Sequence, residues 1–144
     1  MRVKPEQAAE QHIKSLWGEL PMASPVLAPI EILKQQGALL AKATNGLLTA
    51  ATTVSGNPLL RDPLNPGDEF RVIMYLVATA LNNYRFQVLE VSHGVELYPA
   101  VVMAEEKSIK CANQEAFEEA IASILQSARV RGAIGGLLAQ MRSH

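Results

Sequence analysis

The sequence predicts a single α+β domain over residues 1–144: an antiparallel four- or five-stranded meander with two helices before it and two after it. Three observations carry this expectation. From Phe70 to Val102 the chain is rich in β-branched and aromatic residues and is interrupted twice by turn residues, at Asn82-Asn83 and at Ser92-His93-Gly94. That is the pattern of consecutive hairpins, and tight hairpins force antiparallel neighbours. Apolar residues at helical spacing flank the run on both sides, and elements grouped in this way point to α+β rather than an alternating parallel sheet.

The elements follow in order. After Pro5, which suits a first helical position, Ala9, Ile13, Leu16, Trp17 and Leu20 recur at helical spacing until Pro21 stops the segment. An extended linker runs from Pro21 to Ala28. Pro29 opens a second helix through Ala43, with Ile30, Leu33 and Leu40 on one stripe. Thr44-Asn45-Gly46 then supplies residues that tolerate the left-handed conformation in which helices end. Gly37, inside this helix, costs up to about 1 kcal/mol relative to alanine and marks a place where another element can approach closely.

Leu47 to Ser55 alternates and reads as the first strand; Gly56 to Asp68, rich in proline, reads as an irregular connector. Further strands are expected at Phe70–Thr79, Tyr84–Val91 and Val95–Val102, with a short fifth around Ser108–Cys111. Asn113 is a good helix N-cap, and Glu115, Glu118 and Glu119 complement the positive end of the helix after it. Phe117, Ile121, Ile124 and Leu125 form its buried face. Ser127 caps a last helix with Val130, Ile134, Leu137, Leu138 and Met141 on one stripe, weakened in the middle by Gly135-Gly136.

Composition narrows the function classes. A formal net charge of −1 provides no global field for nucleic acid or an anionic membrane. Cys111 is the single cysteine, so no intrachain disulfide and no multi-cysteine metal site can form. The amino terminus runs directly into charged residues without an apolar leader core. The longest apolar run, Val72 to Leu81, is about half of the roughly 20 residues a membrane-spanning helix needs. The expected setting is the cytoplasm, with no membrane partner.

Strand register generates the candidate site. A two-residue turn at Asn82-Asn83 sets Thr79 opposite Phe86 and Tyr75 opposite Glu90, and a three-residue loop Ser92-His93-Gly94 sets Glu90 opposite Glu96. One face then carries Phe70, Val72, Met74, Leu76, Leu89, Val91, Val95, Leu97 and Val101, where the helices are expected. The other carries Arg71, Tyr75, Tyr84, Phe86, Glu90, Glu96 and Tyr98, together with Ile73, Val77 and Val88. Aromatic and aliphatic at its centre and charged at its edge, this second face has the make-up of an interface. Either the chain's own helices cover it or another protein surface does.

The functional expectation is a protein-binding or scaffold module acting as a homodimer, open to another protein partner and needing no cofactor. Tyr75, Tyr84, Phe86 and Tyr98 would be its contacts, and Arg71 and Glu90 would fix orientation. In size and fold class such a chain is similar to the small dimeric secretion chaperones, a likeness of fold and size alone. The first alternative is a small enzyme or ligand-binding protein using Glu90, Glu96, Arg71 and Tyr75, because paired carboxylates can share a proton or bind a cation. The second is a nucleic-acid accessory protein, suggested by Arg129, Arg131 and Arg142; the sparse basic charge argues against it. His93 reads as an exposed turn residue and Cys111 as a buried thiol.

Overall fold

The computed structural model describes residues 13–55 and 70–143. A helix, α1 (Pro29–Ala43), leads into five strands: β1 (Leu48–Ser55), β2 (Phe70–Ala78), β3 (Tyr84–His93), β4 (Ala100–Ala104) and β5 (Lys107–Cys111). Two helices close the domain, α2 (Gln114–Leu125) and α3 (Ala128–Arg142). The strands form one antiparallel sheet in sequence order, β1-β2-β3-β4-β5. The α+β meander is therefore present, with one helix before the sheet and two after it among the described residues.

The first expected helix does not form where it can be followed: residues 13–28 contain no helical segment, and the stretch before Ile13 lies outside the described residues. The physical reason is that its apolar stripe has nothing to pack on. An isolated segment this short is marginal as a helix in water, and Leu16 and Trp17 stand 91% and 80% exposed. The Gly56–Asp68 connector also lies outside the described residues.

The other helix boundaries follow the capping chemistry. Pro29 occupies the first turn of α1, Glu31 its positive end and Lys42 its negative end. Thr44 Oγ1 donates to the Leu40 carbonyl at 3.0 Å and accepts from the Leu48 N–H at 3.1 Å, joining the helix end to β1. Asn113 Oδ1 accepts from Ala116 N–H at 2.9 Å to start α2, and Ser127 Oγ accepts from Val130 N–H at 3.3 Å to start α3. Each satisfies one donor that the first helical turn leaves orphaned.

All three helices pack on one face of the sheet. Val72, Met74, Leu76, Leu89, Val91 and Val102 meet Ile32, Leu33, Phe117, Ile121 and Val130 in the main core, and Leu48 and Ala78 meet Leu137 and Met141 in a second cluster. Where α1 crosses β1 there is no room for a side chain: a Cβ on Gly37 would lie 2.8 Å from the Ala50 Cβ. The glycine that weakens this helix is what allows it to seat.

Candidate functional site

The sheet's second face is the candidate site, and the strand register decides what stands on it. Asn82 and Asn83 do adopt the left-handed conformation, at φ 58° and 57°. They follow a 3-10 turn, Thr79–Leu81, so the hairpin is longer than a two-residue turn and pairs Ala78 with Tyr84 and Leu76 with Phe86. A change of parity moves every following side chain to the opposite face. Tyr84 and Phe86 consequently lie on the helix side, contrary to the expectation that they join Tyr75.

A bulge then restores the parity. The register shifts between Met74 and Tyr75, which pair with Leu89 and Gln87 and leave Val88 over. One extra residue returns Leu89 and Val91 to the core and Glu90, opposite Ile73, to the second face. The bulge is held from a distance. Arg129 on α3 donates through Nη2 to the Gln87 carbonyl at 2.6 Å and through Nη1 to the Val88 carbonyl at 3.3 Å. Its guanidinium sits 4.7 Å from the Phe86 ring centroid, and its Nε lies 3.7 Å from Glu105 Oε1. Arg129 read from sequence only as part of a basic segment; nothing local to it signals the bulge.

The second hairpin also differs from the expectation. Pro99 lacks the N–H a strand would donate, and β4 begins only at Ala100, after a connection in which Leu97 takes φ 76°. Glu90 is therefore opposite Met103, and Glu96, exposed in that connection, is not its cross-strand partner. The paired carboxylates behind the enzyme alternative do not form by strand pairing. Val95 and Leu97 leave the sheet, and Val101, opposite Ser92, moves to the second face.

Tyr98 is corrected as well. Its ring meets Phe117 edge-on, at 6.0 Å between centroids and 66° between planes, and its hydroxyl donates to the Leu27 carbonyl at 2.9 Å. Gln114 Oε1 accepts from the Leu27 N–H at 2.9 Å, so two side chains clasp one main-chain unit. Burial first, then the negative charges of Glu118 and Cys111, push the Tyr98 hydroxyl from its ordinary 10.0 up to about 12. Tyrosine is neutral when protonated, so the folded chain keeps a proton that the unfolded chain loses above pH 10.0. This contribution to stability is full below pH 10.0 and declines as the pH rises to about 12. Urea midpoints are expected to drop across that window, and less steeply for Tyr98→Phe, which keeps the ring contact without the ionisable hydroxyl. Equal slopes for the two proteins would show that Tyr98 is not the group responsible.

Of the seven expected site residues, Arg71, Tyr75 and Glu90 come together on the second face. Arg71 Nε lies 3.6 Å from Glu90 Oε1, and the Arg85 guanidinium stands 5.3 Å from the Tyr75 ring centroid. Six half-buried side chains stand on either side of the β3 row that holds Glu90: Ile73, Tyr75 and Val77 of β2 with Ala51 of β1 beside them, and Val101 and Met103 of β4 beyond it. None of these six belongs to the core clusters that the helices share. Among the described residues this face has no helical cover.

The other candidate groups are structural. His93, read as an exposed turn residue, is buried at the end of β3, where it stacks on Phe70 at 5.5 Å and its Nδ1 lies 2.7 Å from the Gly94 carbonyl oxygen. Cys111 is fully buried, as expected, and burial pushes its thiol up from the ordinary value. Among the described residues no group of three or more His, Cys, Asp or Glu side chains could hold a metal ion. No described helix is long and apolar enough to cross a membrane.

Fold and site together define a small α+β domain whose described helices cover one side of a meander sheet and leave apolar side chains interleaved with charged ones on the other. No known protein family, curated protein or solved structure matches the chain.

Proposed function

We propose that this chain is a cytoplasmic protein-binding or scaffold module that acts as a homodimer and offers its uncovered sheet face to another protein. The observation that carries this reading is the one-sided placement of the helices. Ile73, Tyr75, Val77, Val101 and Met103 remain half-buried rather than sealed, and uncovered apolar side chains set among polar ones mark protein–protein surfaces. Arg71 and Arg85 lie towards the two ends of this face, and Glu90 stands within it, between Ile73 and Met103. The single buried thiol suits a reducing compartment.

Photo-cross-linking in the expressing cell tests the reading. A benzophenone side chain in place of Val77 is expected to give an adduct of discrete mass that Ile73→Lys abolishes. The same group in place of Gln126, exposed at the end of α2, is expected to give none. Equal labelling at the two positions, or no discrete adduct from position 77, overturns the proposal.

A further inference from the structure

The segment before α1 carries apolar side chains that its own domain does not bury. Ile13, Leu16, Trp17 and Leu20 are 73%, 91%, 80% and 65% exposed, and Met22 is 92% exposed. None belongs to either core cluster. The spacing of Ile13, Leu16, Trp17 and Leu20 is that of one face of an amphipathic helix, the form in which short segments enter apolar grooves. A helix of this length forms only when such a surface receives it.

A surface of the right kind exists at the far end of the domain. Leu81, Tyr84, Phe86, Ala133, Gly136 and Leu137 line a groove of about 480 Å³, edged by Gln140, between α3 and the β2–β3 hairpin. It is this groove that received the two aromatic rings when the long hairpin turned Tyr84 and Phe86 away from the open face. A Cβ on Gly136 would meet nothing within 4 Å, so the floor is low enough for a bulky side chain. Tryptophan is the residue most suited to anchoring such a contact. Every charge on α3 is positive, and Glu19 stands two residues from Trp17.

The tether decides whose groove is filled. Leu27 is clasped by Tyr98 and Gln114, at the end of the sheet where His93 pairs with Ala100, whereas the groove lies at the Tyr84 end of β3. The seven steps from Leu20 to Leu27 reach at most roughly 25 Å when fully extended. The strand from Phe86 to His93 alone takes roughly 23 Å, which leaves no slack for a path around α2 and α3. Pro21 and Pro25 also stiffen the tether and hold it extended.

We propose that Leu16, Trp17 and Leu20 of one copy seat in the Leu81–Tyr84–Phe86–Leu137 groove of a second copy, in a reciprocal exchange of arms that builds the homodimer. A two-fold exchange closes on itself and uses each arm and each groove once. The inference rests on the homodimer part of the proposed function and leaves the sheet face accessible for its partner.

Trp17 is the only tryptophan in the chain, so its emission reports the arm alone. With the full chain, raising the concentration is expected to shift the emission to the blue in step with dimer formation measured by sedimentation. Trp17→Ala is expected to weaken dimerisation at least about tenfold, as for a buried anchor. Gly136→Leu, which fills the groove in open space and favours the helix, is expected to do the same while leaving the emission red and the urea midpoint no lower. A monomer at every concentration overturns the proposal. So does a dimer indifferent to Gly136→Leu, and so does blue emission independent of concentration, which would mean docking within one chain. The cross-linking at position 77 reads a different face, so either result can fail without the other.

Discussion

Replacing Phe117 by alanine is expected to cost about 3–5 kcal/mol of folding stability, the largest effect of any single substitution considered for this domain. The ring is fully buried. It lies in the main core with Leu33, Met74 and Val102, and Tyr98 meets it edge-on. Truncation removes the transfer energy of the ring and leaves a cavity that α2 can collapse into only partly, since the backbone on both sides is regular structure. It also withdraws the surface on which Tyr98 rests, and with it part of the clasp on Leu27. Urea unfolding should show the loss as a lower midpoint at an unchanged slope. Leu39→Ala, at a site 59% exposed on α1, should move stability by only about 0.5 kcal/mol. A Phe117→Ala protein within about 1 kcal/mol of the parent would mean that the core is not organised around this ring.

Gly37→Ala is expected to destabilise the fold by about 1 kcal/mol or more, although alanine is the better helix former by up to about 1 kcal/mol. Two effects oppose each other here, and distance decides between them. The new Cβ would sit 2.8 Å from the Ala50 Cβ, which is a fixed atom with no rotamer to change. The helix must therefore lift from β1, at a cost typical of overpacking, about 1–3 kcal/mol. Gly135→Ala is the control, because its Cβ would meet nothing within 4 Å. That change should gain about 0.5–1 kcal/mol. Combining Gly37→Ala with Ala50→Gly should recover most of the loss, and the double-mutant cycle should give a clear coupling energy between the two positions. Additive effects at positions 37 and 50 would show that no close contact exists there.

Much of this architecture is legible in the chain because it is locally encoded. Pro29, Thr44-Asn45-Gly46, Asn113 and Ser127 each act on the backbone within four residues of themselves, and each marks a boundary found in the fold. The meander order is legible for the same reason: every strand pairs with its neighbour in sequence. Facing is different. It depends on the number of residues in a turn, and one residue more or less exchanges inside for outside. Asn82-Asn83 is a turn signal, but the 3-10 turn before it has none, so the sequence points Tyr84 and Phe86 to the wrong face. Glu90 reached its expected face only because the bulge at Val88 cancelled the error. That bulge is secured by Arg129, distant in sequence, and no local pattern announces such a contact. The segment around Trp17 shows the converse: its helical periodicity is plain, yet periodicity alone does not supply the surface a helix needs.

The clasp on Leu27 has a mechanical consequence. Its two hydrogen bonds join residues 71 and 87 positions apart, bolting the approach to α1 to the end of the sheet. Any pull on the arm is borne at that bolt, by the Tyr98 hydroxyl and the Gln114 side chain, before it can strain α1 or the core beneath it. A load entering along residues 13–26 therefore meets these two hydrogen bonds first.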